Sequence, residues 1–338
     1  MRNALKTRTL GKSGPAVSAL GLGAMGMSDF YGPADRAESV ATLKAALDAG
    51  ITLIDTGDFY GSGHNELLVG EALRGRRRDE VVVSVKFGAL RDPRGGFIGY
   101  DLRPAAIKNF LSYSLKRLDT DRIDIYRPAR IPSGTDVEEV MGTLAELVKA
   151  GHIRHIGLSE VGAGTLRRAA AIHPVVDLQI EYSLVSRGIE SDILPTAREL
   201  GIGITAYGVL SRGLLSGHWR PERTLSRGDF RSFSPRFRAG NVERNLELVE
   251  ALREVARRKG ISVAQAAIAW VLSRGEDIVP LVGARTRERL GEALGAAEVT
   301  LTARELEEIA RAVPPDAVAG ERYPEPAMAD LDSERARR

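Results

Sequence analysis

The sequence predicts an α/β protein folded as a (β/α)8 TIM barrel, with an N-terminal β-hairpin and a long loop after the seventh strand. Three observations carry this reading. Short β-branched apolar runs alternate with amphipathic helical segments, and strand–helix–strand at short spacing implies parallel strands joined by crossover helices. The runs number eight. A chain of 338 residues holds a closed barrel of ~250 residues plus insertions.

The elements follow in order. Residues 5–19 read as a hairpin turning at GKSGP, and the first barrel strand lies near SALGLG. RAESVATLKAALDAG is amphipathic and ends in Gly, a common helix stop. ITLID (51–55) and VVVSVK (81–86) are apolar runs bounded by Gly and charge, so they read as buried strands around the helical NELLVGEALRG. Then come PAAIKNFLSYSLKRL, the strand IDIY (123–126), VEEVMGTLAELVKAG, and the strands IRHIGLS (153–159) and VDLQIEY (176–182). SDILPTARELG leads into IGITAY (202–207). Residues 213–242 break the beat: they are rich in Arg, Ser, Gly and aromatics and show no helical period. A loop this long in a barrel is usually a lid or binding loop. DIVPLVG (277–283) is the eighth strand. The tail from Pro314 is rich in Pro and charge, and its last dozen residues read as mobile. One domain spans 1–338, with a core of about residues 7–324.

Composition narrows the function. A hydrophobic content of 43% and a charged content of 28% are those of a globular protein. No apolar run approaches the ~20 residues of a membrane span. MRNALKTRTLGK lacks the apolar core of a signal peptide, so a cytoplasmic location is expected. Cys is absent, which excludes disulfides, thiolate metal sites and cysteine catalysis, and no metal is expected. Net charge is +3, and the densest basic patch, GRRRDE, is followed at once by acids and has no interleaved aromatics. It reads as a solvated helix end, so neither nucleic acid nor membrane is an expected partner. Oligomerisation stays open.

ITLIDTGDFYGSGHNE and VSVKFG set Asp55, Tyr60 and Lys86 at the ends of successive strands. Acid, phenol and amine can form one proton-donating unit. Lys86 ends a run of buried valines, and a buried Lys needs a partner. Charged Lys86 at ~4 Å from Tyr60, with an effective dielectric of about 20, would favour the phenolate by roughly 4 kcal/mol. That would lower the Tyr60 pKa by about three units, while Asp55 holds Lys86 in place. Taken singly, Asp55 could be a helix cap, Tyr60 a loop anchor and Lys86 a surface residue.

LGLGAMGMS (20–28), DTGDFYGSGHNE, VSVKFG, IGLSE (156–160), LQIEYSL (178–184), ELGIGITAYGVLSRG (199–213) and GERYP (320–324), in this order, closely resemble the aldo-keto reductase superfamily. The resemblance runs over about residues 7–324. It implies the barrel fold and NADPH-dependent reduction of a small carbonyl substrate, with Tyr60 as general acid assisted by Lys86 and Asp55. GLGAMG (21–26) also matches a dinucleotide-binding glycine pattern. However, SDFYGPADR intervenes before any helix, and Asp55 lies farther on than the ~20 residues usual for that motif. In the family, these glycines line the mouth beneath the nicotinamide, which places Gly23, Ala24 and Met25 at the cofactor.

TRERLGEA (286–293) follows the last strand and opens a helix. A helix N-terminus attracts phosphate, and Arg285, Arg287 and Arg289 add guanidinium groups suited to the 2′-phosphate of NADP. The resemblance implies that Arg285 and Arg289 touch that phosphate and Glu292 the adenine; Ala293 stands where the family usually has Asn. It further implies Ser159, Glu160 and Gln179 at the carboxamide and Tyr207 stacked on the nicotinamide. Gly208, Leu210 and Arg212 fall at the pyrophosphate, and Gly283 is also implied at the cofactor.

One departure stands out. The family usually carries His at the end of the fourth strand, where this chain reads Asp124-Ile125-Tyr126-Arg127-Pro128-Ala129-Arg130. Ala129 replaces the His, a pattern similar to the pyridoxal reductase branch. Losing one carbonyl donor typically costs ~10² to 10³ in rate. Arg127 shares a strand face with Ala129. It either points inward to pair with an acid or a ligand oxygen, or a register shift turns it to solvent. Tyr31, Arg127 and Ala129 are therefore substrate-side candidates. His64 is the only His near the site and reads as solvent-facing. The missing His also admits other readings: an NADP-binding regulatory or redox-sensor subunit with little turnover, or a pyridoxal or sugar-type ketoreductase.

Overall fold

The structure is a computed structural model that describes residues 5–28, 30–220, 222–226 and 228–335. Twelve strands run through the described residues: β1 (Thr7–Thr9), β2 (Ala16–Ser18), β3 (Gly21–Gly23), β4 (Leu53–Gly57), β5 (Val82–Phe87), β6 (Ala89–Arg91), β7 (Phe97–Tyr100), β8 (Ile123–Pro128), β9 (Ile153–Ser159), β10 (Val175–Glu181), β11 (Gly203–Tyr207) and β12 (Ile278–Gly283). Eight of them close a barrel in the order β3-β4-β5-β8-β9-β10-β11-β12. Every barrel pair is parallel, with helices between successive strands. The (β/α)8 reading of the sequence is the fold observed.

Local sequence sets the helices. Asp35 caps Arg36–Asp48 by accepting from the Glu38 amide at 2.7 Å, and Asp136 caps Val137–Lys149 in the same way. Each cap satisfies an amide that the helix cannot. The apolar faces of the helices pack on the outside of the barrel, where Leu43, Leu68, Ile107, Leu144, Leu166 and Ala197 are buried. The β1–β2 hairpin closes the floor. Leu10 and Val17 join Leu53, Ile125, Val279 and Leu281 in a separate apolar cluster beneath the polar interior, and Arg8 donates to the carbonyls of Ile278 and Leu272.

Three features went unread in the sequence. The antiparallel β6–β7 hairpin rises after β5; its signal was the turn sequence DPRGG between short apolar pairs. Residues 213–242 contain the short 3₁₀ turns Phe230–Ser232 and Pro235–Phe237. The tail expected to be mobile is instead packed onto the barrel as far as Arg335. Leu331 and Ser333 are buried, and Asp332 accepts from the Gly162 amide at 2.8 Å.

Candidate active site

Asp55, Lys86 and Tyr60 converge at the C-terminal mouth of the barrel. β4 and β5 pair with Asp55 opposite Ser84 and Gly57 opposite Lys86. Asp55 therefore points inward one layer below Lys86. Lys86 Nζ donates to Asp55 Oδ1 in a buried ion pair. Asp55 Oδ2 accepts from Ser84 Oγ at 2.9 Å and from Gln179 Nε2 at 2.7 Å. Tyr60 opens the 3₁₀ turn Tyr60–Gly63, and the Asp58 amide ties this segment to the Lys86 carbonyl at 2.9 Å. Gly63 in that turn has φ +95°, and a Cβ there would meet Arg117 Cδ at 2.7 Å. Lys86 Nζ lies 5.2 Å from the centroid of the Tyr60 ring, which is 5% exposed.

The electrostatics correct one expectation. Lys86 was expected to pull the Tyr60 pKa down. Instead burial, followed by the Asp55 carboxylate, pushes it well above its ordinary value. The physical reason is that Asp55 neutralises Lys86, so the pair presents little net positive charge to the phenol. Burial in turn pulls Lys86 down to about 8 against the favourable pull of Asp55, and the Arg127 and Arg130 charges assist burial. Tyr60 thus keeps its proton.

Arg127 points inward, so the solvent-facing alternative is overturned. It is fully buried and donates to Asp177 Oδ2 at 3.0 Å and Ser84 Oγ at 2.9 Å. Thr205 donates to the same Asp177 oxygen. Barrel layers are usually filled by branched aliphatics; this one is polar. Gly157 makes room for it, because a Cβ there would lie 2.5 Å from Asp177 Oδ1 and 3.2 Å from Arg127 Cζ. Ser84 links the layer to Asp55. Arg127 does not fill the space above: Ala129 sits there with only a methyl group, its amide bonded to the Phe87 carbonyl at 2.8 Å.

The rest of the mouth is dense with charge. The Glu160 carboxylate accepts from Arg322, Ser333, Tyr207 and the Glu181 amide. Against the cost of burial, Arg322 holds it well below the usual carboxylate range. Its oxygens, expected at a carboxamide, are thus taken up by protein donors. Tyr207 also bonds Tyr323 at 3.0 Å. Ser159 ends β9, level with Gln179 on β10. Gly208 turns with φ +65° against Glu181, and the Leu210 carbonyl receives the amides of Gly213 and Leu215. Arg212 pairs with Glu181 at 3.2 Å and lies over the Phe230 and Tyr323 rings. Its Nη1 is buried and finds no acceptor among the described residues. Tyr31 lies beneath Arg231 at 5.1 Å, and burial pushes its phenol to about 12.

The glycine segment enters a 3₁₀ turn, Met25–Met27, rather than a helix, as the sequence reading required. The Ala24 amide donates to the Asp55 carbonyl at 2.9 Å, which sets Gly23, Ala24 and Met25 beside the triad. Across from them β12 ends at Gly283, where a Cβ would meet nothing within 4 Å. The helix Arg287–Gly295 begins at its Thr286 cap. Arg285 donates to the carbonyls of Tyr31 and Pro33. Arg289 contacts His218 at 2.6 Å and Glu292 at 3.1 Å. Arg287 turns away to pair with Glu38. A groove of about 400 Å³, lined by Ser216, His218, Arg253, Ser262 and Glu292, adjoins this end. Sequence reading missed Arg130, Arg322 and Tyr323; GERYP was recognised as a motif, yet nothing local tied it to Glu160.

A parallel eight-stranded barrel with an acid, an amine and a phenol converging at its mouth defines a small-molecule enzyme scaffold. Residues 19–314 match the Aldo/keto reductase family, and the chain belongs to that family of oxidoreductases. It is 40% identical over 317 residues to a probable aldo-keto reductase 1 from Glycine max, covering 93% of this chain and 90% of the relative. Among solved structures it is similar to a glycerol dehydrogenase from Gluconobacter oxydans, with TM-score 0.82 and 31% identity over 91% of this chain and 96% of that one. It is also similar to the holo form of an aldo-keto reductase from Bacillus halodurans, with TM-score 0.75 and 28% identity over 92% and 97% of the two chains.

Proposed function

We propose that this protein reduces an aldehyde or ketone to an alcohol with NADPH, Tyr60 acting as general acid. The observation that carries the reading is the buried Asp55–Lys86 ion pair beneath a protonated Tyr60 at the barrel mouth. The residues present fit the cofactor. Arg212 holds a buried donor without an acceptor, Gly283 faces open space, and Arg285 and Arg289 flank a helix N-terminus suited to a phosphomonoester.

NADPH, when bound, supplies the hydride that adds to the carbonyl carbon. Tyr60 gives its hydroxyl proton to the carbonyl oxygen as charge develops there. Lys86 offsets the Asp55 charge that would otherwise oppose the phenolate left behind, and Asp55 keeps Lys86 in register. Phe30 stands edge-on to Tyr60 at 5.9 Å and, with Phe230 and Tyr323, narrows the mouth against water.

The test is Tyr60→Phe. NADPH oxidation with a panel of aldehydes should fall at least ~10²-fold, while NADPH binding stays within two-fold. Turnover within a few-fold of wild type removes Tyr60 from the role. Specificity is tested by Arg285→Ala/Arg289→Ala, which should weaken NADPH binding by several kcal/mol, at ~1.5–3 per charged hydrogen bond, and leave NADH binding nearly unchanged. Equal loss for both cofactors shows that these arginines do not read the 2′-phosphate. The Ala129 departure keeps one rival, an NADP-binding sensor subunit; a single hydride transfer followed by slow release in the same assay favours it.

A further inference from the structure

Arg130 directly follows the position vacated by the family histidine. Its Nη1 donates to the Ala129 carbonyl at 2.6 Å and reaches the Ser159 hydroxyl at 3.4 Å, and its Nη2 reaches the Tyr323 hydroxyl at 3.5 Å. These acceptors belong to the ends of β8 and β9 and to the C-terminal segment, so the guanidinium is held from three directions across the mouth. All three acceptors are neutral. Among the described residues, no carboxylate forms an ion pair with Arg130. A guanidinium has five N–H donors, and these contacts use three. Among the described residues, Nε–H and one Nη2 hydrogen have no protein acceptor.

The group is also electrically coupled to the proton donor. Against burial, the neighbouring Tyr207, Tyr323 and Glu160 keep it charged. Its charge opposes burial and Asp55 at Tyr60, drawing the phenol's proton affinity down, and also weighs against protonation of Lys86. A partly buried guanidinium with uncommitted donors and no direct ion-pair partner stands ready to meet negative charge that appears at the mouth during reaction.

We propose that Arg130 is the electrophilic donor of this active site, taking the place of the histidine absent at Ala129 and donating an N–H to the oxygen of the carbonyl substrate. The assignment rests on the reductase reading above. As the hydride adds to carbon, the carbonyl π pair moves to oxygen. The Tyr60 O–H bond breaks and a new O–H bond forms on the substrate. Arg130 keeps all its protons, because a guanidinium does not titrate in this range. The donor is therefore independent of pH, where an imidazole would not be.

The experiment compares wild type, Arg130→Met and Arg130→Lys in three measurements: steady-state reduction of 4-nitrobenzaldehyde, NADPH binding by fluorescence, and benzoate binding by calorimetry. Benzoate carries a carboxylate where charge develops on the substrate oxygen. R130M should lose ~10² to 10³ in kcat, keep its NADPH dissociation constant within two-fold, and bind benzoate at least ten-fold more weakly. R130K, which retains the charge, should fall between R130M and wild type on both counts. Unchanged NADPH binding shows that the variants are folded. Adding Ala129→His to R130M should recover at least ten-fold of the lost kcat and introduce a pH dependence near the ordinary histidine value of ~6.5. A kcat for R130M within three-fold of wild type, or unchanged benzoate binding, overturns the assignment. A wild-type enzyme that reduces no aldehyde defeats the reductase reading instead, and benzoate binding then decides Arg130 alone.

Discussion

Tyr60 and Lys86 set opposite requirements on one buried spot. In the proposed reaction the phenol must hold its proton until the substrate oxygen demands it, and the ammonium must stay charged to offset Asp55 as the phenolate forms. Burial works for the first and against the second, since it raises Tyr60 and lowers Lys86 to about 8. The sign of the pH response follows. Below about 8 Lys86 is charged and balances Asp55. Above it, the Asp55 charge stands uncompensated beside the phenol and makes proton donation harder. kcat/KM for aldehyde reduction, which reports the free enzyme's groups, should therefore descend with a midpoint near pH 8. In Lys86→Met the rate should be low throughout and that limb absent. A limb that persists in the variant assigns the titration elsewhere. The triad was legible in the sequence because a Lys ending a valine run demands a partner, and the preceding strand offers an acid. Arg130 was not legible. Among 40 Arg residues, one just past a strand end looks like a surface residue until its neighbours are known.

The strands do more than carry the triad, because their register stacks a second polar layer under it. Arg127, Asp177, Thr205 and Ser84 come from β8, β10, β11 and β5, and Ser84 joins them to Asp55. A buried ion pair contributes little net stability, yet removing one partner is expensive. Arg127→Leu strands Asp177 in the barrel interior and should cost about 3–5 kcal/mol in urea unfolding. Arg127→Leu/Asp177→Leu removes both charges and should recover most of that loss. If the double variant is as unstable as the single one, the layer is held by shape rather than by charge. Strand alternation put Arg127 on one face with Ala129 but left open whether that face was the inner one. Its acid lies 50 residues away, and only closure of the barrel brings the two together. The β6–β7 hairpin escaped for a different reason, since its strands are too short for alternation to register.

At the scale of the whole molecule, the chain's end returns to the mouth that its middle builds. The sequence read the final residues as a loose tail because they are rich in Pro and charge. That composition describes the segment's solvent side and says nothing of Leu331, which is 3% exposed, or Ser333, which is 2% exposed. Ser333 donates to Glu160 at 2.8 Å, Asp332 accepts from the Gly162 amide, and Glu334 accepts from Arg322 at 2.7 Å. The tail thus holds Arg322 and Glu160, the pair behind Tyr207. Deleting residues 331–338 removes the buried Leu331 side chain, worth ~1.5–3 kcal/mol, together with the charge-assisted hydrogen bonds of Asp332, Ser333 and Glu334, of ~1.5–3 kcal/mol each. The truncated protein should lose several kcal/mol of unfolding free energy, read as a lower urea midpoint. Its NADPH dissociation constant should also rise, because Tyr207 loses the rigid backing of Glu160. Leu331→Ala separates the two effects: it should cost stability while leaving NADPH affinity within two-fold, since the Glu160 contacts survive. A truncated chain with the wild-type urea midpoint means that the tail only lies against the barrel and does not brace it.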